Sequence, residues 1–330
     1  MTTMHEALAL GETGPRVSPL ALGCMALSGV YGATNDEAGV ATIQAAIDRG
    51  VSLLDTGDFY GMGHNEQLIA RAIRGRRDKV QLSVKFGALR GPDGAFLGID
   101  LRPAAVNNFV AYSLKRLGVD VIDIYRPARL DPNVPIEETV GAIADLVKKG
   151  YVRHIGLSEV GPETIRRAHR VHPIVDLQIE YAIISRGPEH KIFPVLDELG
   201  VSATLYGVLA RGLLGGSKPS GAQDFRGRFP RFAPENADHN AKLVAALRAF
   251  AAECGMTAAQ LAIAWVRAKR PRYLPLIGAR TVGQLDDALG ALNHALSASD
   301  LARLEALIPP DAAAGTRYDS HQMRMLDSER

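Results

Sequence analysis

The chain is poor in features that mark several large protein classes. It has two cysteines in 330 residues, Cys24 and Cys254. No disulfide framework is therefore expected, and a reducing, cytoplasmic setting fits best. It lacks any run of 18 apolar residues, so no membrane span is expected. Its first residues carry no basic patch leading into an apolar stretch, which argues against a secretory signal. Neither charge sign dominates: 38 Lys and Arg face 36 Asp and Glu, a formal net charge of +2. A dedicated nucleic-acid binder usually carries a strong basic excess. Neither G-x-G-x-x-G nor G-x-x-x-x-G-K-[ST] occurs, so a Rossmann fingerprint and a P-loop are both missing. Nothing in composition suggests a metal site.

What is present is a large apolar share, 47% of residues, enough in a chain this long to bury a sizeable core. At roughly 150 residues per domain the length suggests two domains, yet α/β barrels of this size run as one. Short apolar runs alternate with helical patterns. Runs at 20–23, 51–54, 80–84, 121–125, 154–157, 175–179, 202–206 and 274–277 are mostly near-continuous, as strands buried on both faces should be. Thr34 and Glu37 form a candidate capping box for a helix with Val40, Ile43 and Ile47 on one face and Gly50 at its stop. A second helix is expected from about Pro135 to Gly150, carrying Val140, Ile143 and Val147. Residues 103–117, 161–171, 190–199, 241–254, 257–269 and 281–292 are similar, the last with Thr281 and Gln284 as another capping box. The expectation is α/β: a single (β/α)8 TIM barrel over residues 1–330, with an N-terminal β-hairpin and extra helices near 257–269 and 297–308. Residues 212–240, rich in Gly, Pro, Ser and Arg, with Phe225, Phe229 and Phe232, are expected to be a long packed loop.

In such a barrel the active site lies at the C-terminal ends of the strands. Asp55 and Tyr60 follow the second run and Lys85 ends the third. A lysine inside a barrel is costly without a partner, and Asp55 is the candidate. A cation beside a phenol favours phenolate, so Lys85 is expected to lower the Tyr60 pKa from about 10 and fit it for proton transfer. The spacing equally admits a structural ion pair beside an ordinary buried tyrosine.

Seven segments in order carry a resemblance: V-S-P-L-A-L-G-C-M at 17–25, D-T-G-D-F-Y-G at 55–61, S-V-K-F-G at 83–87, I-G-L-S-E at 155–159, Q-I-E-Y-A-I-I-S-R at 178–186, Y-G-V-L-A-R-G at 206–212 and I-G-A-R-T-V-G-Q-L-D-D-A-L-G-A-L at 277–292. Together they resemble an aldo-keto reductase, nearest the bacterial branch related to potassium-channel β subunits and aryl-alcohol dehydrogenases. The match runs over about residues 8–318. The resemblance implies hydride transfer between a nicotinamide dinucleotide and a small carbonyl or alcohol, with NADP(H) the usual cofactor and NAD(H) the alternative. It implies Tyr60 as general acid with Asp55 and Lys85 as its tuning pair. Ser158 and Gln178 would hold the carboxamide, and Tyr206 would stack on the nicotinamide. Leu209 and Arg211 would lie by the pyrophosphate, and Arg280 and Gln284 by the adenosine ribose and its 2′-phosphate. Gly23, Cys24, Met25, Glu159, Gly207, Gly278 and Asp287 would complete the cofactor site. A planar guanidinium such as that of Arg280 suits a phosphate because it offers two parallel hydrogen bonds.

The chain also departs from that pattern. The family places a catalytic histidine in a segment like Y-Q-L-H-R-V-D-P; residues 125–132 read Y-R-P-A-R-L-D-P, with Ala128 in its place. Losing one such donor costs roughly 100–1000-fold in rate. Arg126, two residues before Ala128, shares its face while Arg129 points away, provided Pro127 leaves the alternation intact. Arg126 is therefore a candidate catalytic donor for an anionic substrate; its alternative is an ion pair with Asp58 or another acid. Glu159 and Ala288 stand where asparagine is common. His64 either faces the pocket or is a surface loop residue. Arg226, Arg228 and Arg231 form either a lid over the pyrophosphate or a surface charge run. A low-turnover cofactor-binding sensor or partner subunit is the alternative function, motivated by Ala128. A Schiff-base lyase using Lys85 is a distant third. Oligomeric state, a homo-oligomer included, is left open.

Overall fold

The chain enters through a small antiparallel hairpin, β1 (Leu8–Ala9) and β2 (Arg16–Val17). Residues 6–221 and 224–330 are described in this computed structural model. Strands β3 (Ala21–Gly23), β4 (Leu53–Gly57) and β5 (Gln81–Phe86) follow, then an outlying antiparallel hairpin, β6 (Ala88–Arg90) and β7 (Phe96–Ile99). Strands β8 (Ile122–Pro127), β9 (Val152–Ser158), β10 (Ile174–Glu180), β11 (Ser202–Tyr206) and β12 (Leu274–Gly278) complete the set. The eight strands other than the two hairpins pair in parallel and close in the order β10-β11-β12-β3-β4-β5-β8-β9. All eight apolar runs are thus barrel strands, and the (β/α)8 expectation holds.

Helices surround the barrel: α1 (Asp36–Asp48), α2 (His64–Ala72), α3 (Pro103–Leu117), α4 (Ile136–Lys148), α5 (Pro162–Val171), α6 (Pro188–Lys191), α7 (Phe193–Leu199), α8 (Pro234–Glu253), α9 (Ala258–Lys269), α10 (Val282–Gly290), α11 (Ala298–Leu307) and α12 (Ser320–Arg324). None of these is by itself long and apolar enough to cross a membrane. Several details differ from the expectations. Asn35, not Thr34, caps α1, accepting from the amide of Ala38 at 2.9 Å. Residues 190–199 break at Ile192 into two pieces, each carrying a proline in its first turn. The supposed decoration at 257–269 is a barrel helix, because Leu261, Ile263, Trp265 and Val266 of α9 are all fully buried. The helix added outside the ring is α8, which begins within the segment read as loop. At α10 only half a capping box forms: Thr281 accepts from the amide of Gln284, but the Gln284 side chain accepts from the amide of Arg280 at 2.9 Å.

The barrel interior is layered. The lowest layer is apolar and includes Leu10, Val17, Leu53, Ile124, Val175 and Leu274, so the N-terminal hairpin plugs the floor. Residues two apart on a strand share a face. Leu53 is therefore followed by Asp55, and Ile124 by Arg126. Irregular register in β10 between Ile174 and Asp176 lets both Val175 and Asp176 reach the axis, as a bulge does. Above the apolar floor the interior is ionic.

Candidate active site

Backbone strain locates the functional end of the barrel. Among the described residues, four other than glycine have positive φ: Met62 at 53°, Glu159 at 53°, Ala210 at 46° and Arg211 at 57°. All four follow C-terminal ends of barrel strands. Such conformations cost roughly 1–2 kcal/mol each and persist where the surroundings over-determine them.

Beneath this rim lie the expected charged groups. Lys85 and Asp55 form a buried ion pair, with side chains 8% and 3% exposed. The other Asp55 oxygen accepts from Ser83 Oγ at 2.8 Å and Gln178 Nε2 at 2.7 Å. Lys85 Nζ lies 5.2 Å from the centroid of the Tyr60 ring. Asp55, Tyr60 and Lys85 are therefore brought together. The expected lowering of the Tyr60 pKa is not found. Burial, and then the Asp55 charge, push the phenol well above 10. The reason is that the Lys85 charge is spent on Asp55, leaving the phenol in a desolvated place where the neutral form is favoured. Burial likewise lowers Lys85, against the pull of Asp55 and aided by Arg126 and Arg129.

Arg126 is corrected outright. It is fully buried and pairs with Asp176 at 3.0 Å, both side chains 0% exposed. It also donates to Ser83 Oγ at 3.1 Å and to the carbonyl of Leu157 at 3.3 Å. Its partner is thus Asp176 rather than Asp58, and it does not face the mouth. Gly156 makes room for it: a Cβ there would lie 2.8 Å from Asp176 Oδ1 and 3.1 Å from Arg126 Cζ. Ser83 links the two ion pairs into one ionic layer. Arg129, beyond the end of β8 at Pro127, is the arginine that turns over the mouth. Its Nη1 donates to the carbonyl of Ala128 at 2.7 Å, and Nη2 lies 3.5 Å from Tyr318 Oη.

The expected cofactor residues divide into free and committed groups. Ser158 is 1% exposed and its Oγ has no hydrogen-bond partner. Beside it in register on β10 is Gln178. Arg280, partly buried, donates only to the carbonyl of Tyr31, at 3.0 Å, and pairs with no carboxylate. Gly23, Met25, Gly207, Leu209, Gly278 and Gln284 lie at strand ends or on the rim. Cys24 keeps its thiol in the core, where burial raises it, and offers only backbone. Arg211 is committed: it pairs with Glu180 at 3.0 Å and lies 4.5 Å from each of the Phe229 and Tyr318 rings. Asp287 accepts from Thr257 Oγ1 at 2.9 Å. Ala288 is 2% exposed and faces inward. His64 opens α2, tied to Ser28 Oγ at 2.9 Å and Asp36 at 3.0 Å. Arg226 and Arg231 are buried, paired with Asp224 at 2.7 Å and Glu180 at 3.5 Å; only Arg228 is exposed.

Residues 317–329 lie in the tail after 309, which the sequence offers as a substrate-side segment without singling out Arg317 or Tyr318, and they supply a wall. Glu159 is fully buried and accepts from Glu180 N, Tyr206 Oη, Ser328 Oγ and both terminal nitrogens of Arg317, the shortest at 2.7 Å. Burial would raise its carboxyl, but Arg317 more than reverses this and holds it well below the usual range. Its left-handed backbone is one that asparagine tolerates better. Tyr318 Oη lies 3.0 Å from Tyr206 Oη, so Tyr206 is held by both Glu159 and this wall. Cavities of about 350 and 380 Å³ open beside residues 131–135. Neither is lined by Tyr60, Lys85 or Tyr206.

One carboxyl near the site carries a pH signature. Asp58 is 7% exposed and neither oxygen has a partner in hydrogen-bonding geometry. Burial, then the neighbouring Glu66, push it from 3.8 up to about 8. The folded chain thus keeps a proton that the unfolded chain releases near pH 4, so stability should fall as pH rises from about 4 to about 8. Asp58→Asn is expected to flatten that decline, measured as Tm against pH. An unchanged slope would contradict the assignment.

Comparison with known proteins agrees with this geometry. The family described as "Aldo/keto reductase family" matches residues 19–309. "Probable aldo-keto reductase 1" from Glycine max is 39% identical over 322 residues, covering 95% of this chain and 92% of that one. The glycerol dehydrogenase AKR11B4 from Gluconobacter oxydans superposes with a TM-score of 0.83 at 27% identity, covering 92% of this chain and 96% of that chain. The holo form of aldo-keto reductase AKR11C1 from Bacillus halodurans gives 0.75 at 26% identity, covering 96% and 99%. The eight-stranded barrel, the Asp55–Lys85 pair beneath Tyr60 and these likenesses lead to one conclusion: the chain belongs to the aldo/keto reductase family.

Proposed function

We propose that the protein is an NADP(H)-dependent oxidoreductase acting on a small carbonyl or alcohol. The observation that carries this is the buried Asp55–Lys85 pair beneath Tyr60 at the strained mouth. The residues also fit the cofactor. The orphaned Ser158 hydroxyl and the free oxygen of Gln178 suit a carboxamide, which both donates and accepts. Arg280 has donors left for a 2′-phosphate. Glu159 and Arg211 are held by internal ion pairs, so their part is to shape the site.

When bound, the nicotinamide supplies or accepts the hydride. Tyr60 gives its phenolic proton to the carbonyl oxygen as the alcohol forms. The raised pKa keeps that proton in place until charge develops on the oxygen. Lys85 then faces a phenolate and can return a proton, while Asp55 fixes the ammonium. Ala128 donates nothing, so the oxygen has one fewer side-chain donor than the family pattern provides.

The test is a fluorescence-quenching titration of NADPH and NADH with wild type and Arg280→Ala. NADPH should bind more tightly, and the variant should weaken NADPH by about 10- to 100-fold with little change for NADH. No binding of either cofactor would overturn the reading. Ala128 favours the second reading, a cofactor-binding sensor or partner subunit of low turnover. Tight NADPH binding with no turnover on a broad carbonyl and alcohol panel would select it.

A further inference from the structure

The cations at the mouth and in the ionic layer nearly all have a carboxylate partner. Lys85 holds Asp55, Arg126 holds Asp176, Arg211 and Arg231 hold Glu180, Arg226 holds Asp224, and Arg317 holds Glu159. Among the described residues, Arg129 and Arg280 are the partly buried arginines of this end with no carboxylate within 4.0 Å. Arg280 is accounted for above. Arg129 is not.

A partly buried guanidinium left without an acid is costly unless something else supplies the charge. Arg129 uses one donor on its neighbour's carbonyl, at 2.7 Å. Its other protein contact, with Tyr318 Oη at 3.5 Å, is at the limit of a hydrogen bond. The first contact folds the guanidinium back over Ala128, the place where an imidazole is missing. A methyl group there leaves both space and an unmet need for a donor. The Arg129 guanidinium carries a single +1, and the free edge of its fork matches the two oxygens of a carboxylate.

We propose that Arg129 binds a carboxylate carried by the substrate, so that the protein acts on carbonyl compounds that are also monoanions. This rests on the oxidoreductase reading above and adds the substrate class to it. The guanidinium anchors the anion and orients the neighbouring carbonyl toward Tyr60. Arg129 is accordingly a specificity-determining residue, in the position the sequence alone assigned to Arg126.

The experiment compares acids with their methyl esters: 4-oxobutanoate, 3-carboxybenzaldehyde and 4-carboxybenzaldehyde, each against the uncharged ester, with NADPH. Wild type should favour at least one acid over its ester by about 10-fold or more in kcat/KM. Arg129→Met should erase that ratio, raising KM for the acid about 10-fold more than KM for the ester. Arg129→Lys should restore part of it. NADPH quenching by each variant reports that the barrel is intact. Esters and acids turned over alike by wild type, or a ratio unmoved in Arg129→Met, would overturn the proposal while leaving the reductase reading standing. Turnover of no aldehyde by protein that binds NADPH would remove the reductase reading, and this inference with it.

Discussion

Asp176→Ala is expected to lower the unfolding free energy by about 3–5 kcal/mol, read from the midpoint of urea denaturation. The substitution strands the Arg126 guanidinium, which is fully buried, with only Ser83 and a carbonyl to hold it. Removing one member of a buried pair costs that much because the other charge has no route to water. The double variant Arg126→Met/Asp176→Leu should recover a large part of the loss, since apolar packing of similar volume often replaces a buried pair without penalty. A loss below about 1 kcal/mol in the single variant would show that water reaches Arg126. Because Ser83 bridges Arg126 to Asp55, the single variant should also weaken the hold on Lys85.

Tyr60→Phe is expected to reduce turnover by about 100- to 10,000-fold, the usual range for losing a positioned general acid. Cofactor affinity should stay within about twofold, because the phenol touches none of the groups assigned to the dinucleotide. The ring keeps its edge-to-face contact with Phe59, 4.9 Å between centroids, so the fold should be unaffected. The measurement is single-turnover hydride transfer followed by NADPH absorbance. Activity retained within threefold would mean that the proton comes from elsewhere and that the Lys85–Asp55 pair is structural. Lys85→Met is the companion control: it strands Asp55 as well, so its loss of activity should come with a loss of stability.

Much of this architecture was legible in the order of residues. The eight strands are near-continuous apolar runs because both of their faces are covered, and that signal survives without tertiary knowledge. The rule that barrel chemistry sits at C-terminal strand ends then collects Asp55, Tyr60 and Lys85 at one place. Alternation also places Arg126 on the inner face of β8, where it meets Asp176. It cannot give depth: a side chain on the inner face can rise to the mouth or stay in the layer below, and Asp176, fifty residues on, decides which. Nor can it follow Arg129 past Pro127, where the strand ends. Helix α2 was hidden because its start is a turn with positive φ at Gly61, Met62 and Gly63, followed by a polar His-Asn-Glu-Gln stretch, so that its short apolar stripe of Leu68, Ile69 and Ala72 begins only in the second turn. Arg317 was beyond reach for another reason. Its partner Glu159 lies 158 positions away, and nothing local about an arginine beside a tyrosine names a distant carboxylate.

That distance has a consequence for how the molecule is made. Glu159 is synthesised well before its counter-ion Arg317 and the Ser328 hydroxyl. Asp327 also completes the start of α5, accepting from Gly161 N at 2.8 Å and Thr164 Oγ1 at 2.7 Å. Contacts of such long range form late, because the intervening loop must first be closed. A chain still emerging from the ribosome can therefore assemble most of its walls while the corner that holds Tyr206 is unbuilt, with a bare carboxylate open to water. The corner that holds Tyr206 is thus complete only once residues 317–329 have docked against Glu159 and the start of α5.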